Sequence, residues 1–364
     1  MNQPLPAIHA TAMPLQPLGV NLLSLAKAVP PYRLDTPAVA AKARELFLPI
    51  FPEFDRLLPV FENTGIKTRY SVRPYSWFEQ PQDWPARSSA YLEGATALLR
   101  DVAAQALDDA DCRAADIDMI VTVSSTGIAT PSLETHLLRE FGFRADVRRV
   151  PVFGLGCAGG VSGAALAARL AAAEPGCRVL LLVVELCTLA FRGDELSKSN
   201  IVATALFGDG AAAAVLSTAG DSRYGVIEWA GEHTFPDSLD IMGWRVDPQG
   251  FGAIFSRSIP DFVTAEMSNA AAGFLARHGL SLADIDQFVC HPGGAKVIDA
   301  LETAYNLQTG SLMNEREILA DYGNMSAPTA LFVLERALKV PFSGRRMISA
   351  LGPGFTASFF TMQA

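Results

Sequence analysis

The sequence is poor in charge, and its net charge has the wrong sign for gripping nucleic acid or an anionic membrane. Only 18% of its 364 residues are charged and they sum to −9, with a pI near 5.1. Polyanion binders rely on clustered lysine and arginine, so both classes are excluded and any anionic ligand must be met by a few local basic groups. No run approaches the roughly 20 apolar residues that cross a bilayer. Residues 1–19 lack the basic start and apolar stretch of a secretory leader. A cytoplasmic protein with no membrane span is expected. The five cysteines, Cys112, Cys157, Cys177, Cys187 and Cys290, are odd in number, scattered and without a CxxC pair. That pattern argues against a disulfide framework and against a zinc site.

What the chain has in quantity is apolar residues, 50% of the total, enough for a large core in one or two closely packed domains. Prolines at Pro30, Pro31, Pro49, Pro52, Pro59 and Pro74 break the first 90 residues into short pieces, which predicts an irregular, partly helical cover segment. From Tyr91 the pattern becomes regular. A helix to Leu107 precedes an apolar strand 119–123 that ends in Ser124-Ser125-Thr126-Gly127. A helix over 132–141, a strand over 149–153, a glycine-rich turn around Cys157 and a helix over 161–173 follow. The run 178–185 has no charge between its ends, as in a sheet buried on both faces. The run 205–216 reads as a further strand, and 217–222 as a linker. We therefore divide the chain into halves 1–220 and 221–364. The second half repeats the plan, with a helix over 259–278, a strand over 287–290, His291-Pro292-Gly293-Gly294, a helix from Ala295, a helix over 325–337 and a strand over 346–350. Two halves that each present a reactive side chain after a strand predict a duplicated α/β architecture with the site between them.

Three residues carry the chemistry. Cys157 sits at a strand-to-helix turn, where backbone N–H groups and the positive end of a helix stabilise a thiolate. A cysteine there is otherwise a small core residue, so the context decides. His291 also ends an apolar strand, in a turn that leaves its ring uncovered. His136 and His278 fall in expected helices, His233 in a polar loop and His9 in the N-terminal stretch. Asn324 stands just before a helix, where it reads either as a cap or as a hydrogen-bond donor to a ligand. Together the three supply a nucleophile, an acid-base partner and a donor.

In order and spacing, Ser125-Thr126-Gly127, Gly156-Cys157-Ala158-Gly159-Gly160, Leu206-Phe207-Gly208-Asp209-Gly210-Ala211, His291-Pro292-Gly293-Gly294, Tyr322-Gly323-Asn324-Met325-Ser326 and Gly352-Pro353-Gly354 resemble the type III polyketide synthases, the chalcone synthase-like members of the thiolase superfamily. The resemblance runs from about Gly19 to Ala357 and implies a thiolase-like fold in αβαβα layers. It implies that Cys157 holds a starter acyl group as a thioester while His291 and Asn324 hold the oxygen of a decarboxylating malonyl thioester, with no metal or other cofactor. An imidazole beside Cys157 would also keep the sulfur ionised through an ion pair. Thr126, Ser326, Gly352, Pro353 and Gly354 fall among the cavity residues, and Phe207 falls where the family places a gating aromatic. Ala350 and Leu351 stand where glycine and phenylalanine often precede the glycine-rich loop.

Ala253 replaces a second gating phenylalanine, and Thr130, Cys187 and Ala190 fall at pocket positions where plant relatives carry other sizes. These exchanges predict a cavity open to a fatty acyl chain, and hence an alkylpyrone or alkylresorcinol product, unless neighbours repack into the space. Coenzyme A contacts are expected from Arg56, Lys67 and Arg69, a small basic set. It does not distinguish acyl-CoA from an acyl carrier protein as starter donor, since both seek arginine and lysine. Malonyl-CoA is the expected extender, and the family is normally homodimeric. The rival readings are a single-round β-ketoacyl synthase III-like condensing enzyme and a non-catalytic binding protein that keeps the fold.

Overall fold

The computed structural model describes residues 16–256 and 258–364; the first fifteen residues of the expected cover, His9 among them, lie outside the described residues. Nine strands form one mixed sheet. In spatial order they are Gln287–Cys290, Arg345–Gly352, Thr356–Gln363, Val226–Thr234, Val20–Ala28, Asp209–Ser217, Arg178–Leu186, Met119–Val123 and Arg148–Val152. Two half-sheets meet where Val20–Ala28 pairs briefly with Val226–Thr234, Val20 opposite Ile227 and Asn21 opposite Val226, flanked by hydrogen bonds from Leu18 N–H to Glu228 O at 2.8 Å and from Leu22 N–H to Gly225 O at 3.0 Å. In each half the inner strands pair antiparallel and the outer strands parallel. The halves therefore share one plan, and in each the outermost strand leads to one of the candidate residues, Cys157 in the first and His291 in the second.

Helices Gly159–Ala173 and Ala327–Leu338 lie against each other between the half-sheets. Trp84–Asp109 covers one outer face, and Ile259–Ala276 with Ala295–Ala304 covers the other. This is the duplicated αβαβα layering of a thiolase-like fold. Local sequence explains the key pieces. Arg178–Leu186 is buried from Val179 onward, which is why residues 179–184 form a continuous apolar run. Helix Trp84–Asp109 starts where the Asp83 carboxylate accepts from the Ala86 N–H, with proline in the first turn, a stable helix start. The segment Gly156–Ala173 is apolar enough over 18 residues to resemble a membrane span, yet 67% of it is buried between the half-sheets. It is a core helix.

Three sequence expectations change. The N-terminal segment is more than a cover, because Val20–Ala28 is a central strand of the sheet; a short apolar run between prolines carries too little periodicity to distinguish strand from irregular chain. The expected strand over 205–216 begins only at Asp209, since 205–206 finish helix Lys198–Leu206. The expected helix over 132–141 is two short turns, Leu133–His136 and Leu138–Phe141, stopped by the left-handed Gly142. The segment 217–222 lies where the chain crosses from one half-sheet to the other.

The central helices touch backbone to backbone. A methyl group added at Gly160 would lie 2.1 Å from the Ala327 carbonyl oxygen, whereas at Gly273, on the exposed face of Ile259–Ala276, it would meet nothing within 4 Å. Gly160→Ala should therefore destabilise the protein by about 1–3 kcal/mol or more, and Gly273→Ala should stabilise it by about 0.5–1 kcal/mol. Denaturant unfolding of the two variants beside the parent protein checks both signs.

Candidate active site

Strand Arg148–Val152 leads into the single turn Gly156–Ala158 and then into helix Gly159–Ala173. This path places Cys157, 5% exposed, at the N-terminal end of a buried helix. The turn is held from the other half by the Gly352-Pro353-Gly354 loop. A Cβ on Gly352 would lie 2.4 Å from the Leu155 carbonyl oxygen, so only glycine fits there. His291 follows strand Gln287–Cys290, fixed by its backbone N–H donating to the Ser349 carbonyl at 2.8 Å. Asn324 donates from Nδ2 to the Gly293 carbonyl at 3.1 Å and accepts at Oδ1 from the Ser326 N–H at 2.8 Å. It is not the plain helix cap its position suggested. Ser326 takes that place, with φ 58°, a left-handed conformation that costs a non-glycine residue energy.

His291 and Asn324 line one cavity of about 350 Å³, walled mainly by apolar side chains such as Leu206, Phe255, Met267 and Leu351. The side chains of Ser326 and Asn324 lie close enough to the Cys157 sulfur to favour its ionised form. Burial outweighs them. It pushes the Cys157 thiol up to about 11, with the nearby Glu185 carboxyl adding to the rise. Burial alone pulls His291 down to about 4, and neither ring nitrogen has a hydrogen-bond partner within the described residues. Desolvation thus works against both charges of the thiolate–imidazolium pair expected from the sequence, and among the described residues no hydrogen bond joins the His291 ring to the sulfur.

Behind the cysteine lies a residue that sequence reasoning missed. Glu185 is fully buried at the end of its strand, where one oxygen accepts from the Ser125 N–H at 2.9 Å and the Thr126 hydroxyl at 2.8 Å. Its other oxygen has no partner, and burial raises the carboxyl to about 8. The signal was a lone acid closing an otherwise apolar run. Lys296 was also missed: it lies in the first turn of Ala295–Ala304, at the same cavity as His291 and Asn324.

The remaining expected residues divide. Phe207 is tied to Asn324 by backbone hydrogen bonds, Gly208 N–H to Asn324 O at 3.0 Å and Asn324 N–H to Leu206 O at 2.9 Å. Cys187, Ala190 and Phe207 line a second, smaller cavity of about 80 Å³. Thr126 is buried against Glu185 and faces neither cavity. Ala253 packs in one cluster with Cys187 and Phe207. Trp244 and Phe255 pack against the same cluster, their ring centres 5.9 and 5.6 Å from that of Phe207. Thr130 is exposed on a surface loop and lines neither cavity. Arg56 and Lys67 are exposed, Arg56 paired with Glu53 at 3.0 Å. Arg69 is a correction: it is 1% exposed and donates to the Ala205 carbonyl, so it braces the Phe207 turn and cannot meet a coenzyme. Of the other histidines, His233 sits on strand Val226–Thr234 rather than in a loop, His278 stacks on Trp229 at 4.3 Å, and His136 ends a short turn.

Comparisons with known proteins agree with this arrangement. Residues 81–220 match the N-terminal domain of the chalcone and stilbene synthases, and residues 227–362 match their C-terminal domain. A 1,3,6,8-tetrahydroxynaphthalene synthase of Streptomyces peucetius is 37% identical, over 95% of this chain and 93% of that protein. Pks18 of Mycobacterium tuberculosis, described as an alpha-pyrone synthesis polyketide synthase-like protein, is 26% identical over 94% of this chain and 91% of its own. The crystal structure of the Streptomyces coelicolor tetrahydroxynaphthalene synthase, a bacterial type III polyketide synthase, superposes with a TM-score of 0.88 at 28% identity, covering 94% of this chain and 99% of that one. This chain belongs to the chalcone and stilbene synthase family, the type III polyketide synthases, which are acyltransferases of the thiolase fold.

Proposed function

We propose that this enzyme extends a fatty acyl starter held on Cys157 and releases an alkylpyrone or alkylresorcinol. The observation that carries the reading is that His291 and Asn324 line one apolar cavity while the Asn324 and Ser326 side chains lie beside the buried Cys157 sulfur. In the loading step the Cys157 proton passes to His291 and the sulfur attacks the starter thioester, expelling the thiol of its carrier. A malonyl-CoA then binds with its thioester oxygen toward His291 and Asn324. Loss of CO2 leaves the bonding electron pair on the enolate, whose oxygen both donors stabilise without being charged themselves. The enolate carbon attacks the Cys157 thioester, the sulfur leaves as thiolate, and the chain, two carbons longer, is returned to Cys157 for the next round.

The fatty starter is supported by the second cavity, where Cys187 and Ala190 are small and the wall is apolar. The starter's carrier is coenzyme A or an acyl carrier protein, met by Lys296 at the cavity and by the exposed Arg56 and Lys67. A homodimer is supported by the free edge of the sheet at Arg148–Val152, beside which Phe153 and Ile128 are 57% and 58% exposed. The five free cysteines fit a reducing, cytoplasmic setting.

Mass spectrometry of products from malonyl-CoA and acyl-CoA starters of graded length, with Cys157→Ala as control, tests the whole reading. Long-chain pyrones or resorcinols, absent in the control, are the expected result; a hydroxylated naphthalene from malonyl-CoA alone would overturn the fatty starter. Malonyl-CoA decarboxylation should fall about 100- to 1,000-fold in His291→Ala and in Asn324→Ala, the usual effect of deleting one oxyanion donor. With Cys157 up at about 11 and His291 down at about 4, iodoacetamide labelling of Cys157 should accelerate steadily from pH 6 to pH 9. A flat rate over that range would show a standing ion pair instead.

A further inference from the structure

The smaller cavity has a polar end. Cys187 and Phe207, 1% and 7% exposed, close it on the inside, and the middle is apolar, with Leu46, Phe78 and Phe191. At the other end stand Lys42 and Glu79, whose side chains are 39% and 40% exposed. They are bonded to each other. Lys42 Nζ lies 2.9 Å from Glu79 Oε1 and 2.8 Å from Glu45 Oε2. Lys42 belongs to helix Thr36–Phe47, and Glu79 directly follows the short helix Tyr75–Phe78, so the pair bolts together two pieces of the N-terminal segment where the cavity reaches solvent.

We propose that the Lys42–Glu79 ion pair is a gate at the outer end of the acyl channel, and that it sets the starter length beyond which the tail must push out of the protein. The inference rests on the reading that a fatty tail runs past Phe207 into this cavity. At about 80 Å³ the space is smaller than the roughly 150 Å³ cavity that accepts a benzene ring, so a tail of more than a few carbons fills it and meets the gate. An apolar tail cannot share the mouth with a closed ion pair without separating it or stripping water from its charges. The pair is exposed and hence weak, so the gate slows long chains rather than barring them.

The test measures kcat/KM for saturated acyl-CoA starters from butyryl to eicosanoyl in the parent enzyme, Lys42→Ala, Glu79→Gln and a channel-filling Ala190→Phe. The long-chain value is divided by the butyryl value within each protein, which cancels losses from imperfect folding. Thermal shifts with free fatty acids of graded length give the same ratio without turnover. Both gate variants should raise the ratio by about two- to fivefold, the range an exposed pair contributes, with the gain beginning at one chain length. Ala190→Phe should lower it. An unchanged ratio in both gate variants, with a drop in Ala190→Phe, overturns the gate and keeps the channel. A ratio that Ala190→Phe leaves unmoved overturns the channel, and the gate with it.

Discussion

The site depends on the contact between the two central helices. Gly160 lies so close to the Ala327 carbonyl that no side chain fits between them, and each helix carries at its start one part of the candidate site: Cys157 on one, Asn324 and Ser326 on the other. Because the helices come from different halves of the chain, the reactive group and its donors exist as a set only in the folded whole. The Gly352 loop adds a second clamp on the same turn from the C-terminal half. Position is thus fixed by backbone packing, the stiffest means a protein has.

Much of this was legible in the sequence because it is written in turns. Cys157 and His291 each stand beside glycines after an apolar strand, and Asn324 follows a glycine between two helices; such breaks survive without knowledge of tertiary contacts. The buried run Arg178–Leu186 was legible for the same reason. What sequence could not supply is depth. Arg69 and Lys67 look alike as basic residues two apart on the chain, yet one braces the core and the other faces water. Glu185 read as the polar end of a strand because an acid usually marks the surface; here the Ser125 and Thr126 donors make its burial tolerable. Ala253 shows the limit for shape, since a small side chain enlarges a cavity only if its neighbours hold still, and the sequence does not say that Trp244 and Phe255 pack against the same cluster.

Burial also accounts for the electrostatic state. A cavity that must hold acyl chains is apolar, and an apolar cavity penalises an imidazolium and a thiolate alike. On the proposed function an uncharged imidazole suits decarboxylation, where it stabilises the enolate oxygen without binding the departing carboxylate as an ion pair. It suits loading less well, because the sulfur must lose its proton at the moment of attack. Ser326 and Asn324, both beside the sulfur and both favouring its ionised form, lower that cost.

The partition between the cavities is tied to the chemistry through the backbone. Leu206, Phe207 and Gly208 form a two-bond bridge with Asn324, and Arg69 holds the carbonyl of Ala205 just before it. A tail that displaces the Phe207 ring pushes on a segment whose next hydrogen bonds position the Asn324 amide. Arg69 and the buried Asp209 carboxylate, which accepts from the Val72 N–H at 2.9 Å and the Thr188 hydroxyl at 2.6 Å, resist that push from both sides of the turn. For a tail on the proposed path the backbone on either side of Phe207 is therefore held, and the part left to yield is the ring itself within its cluster of Trp244 and Phe255.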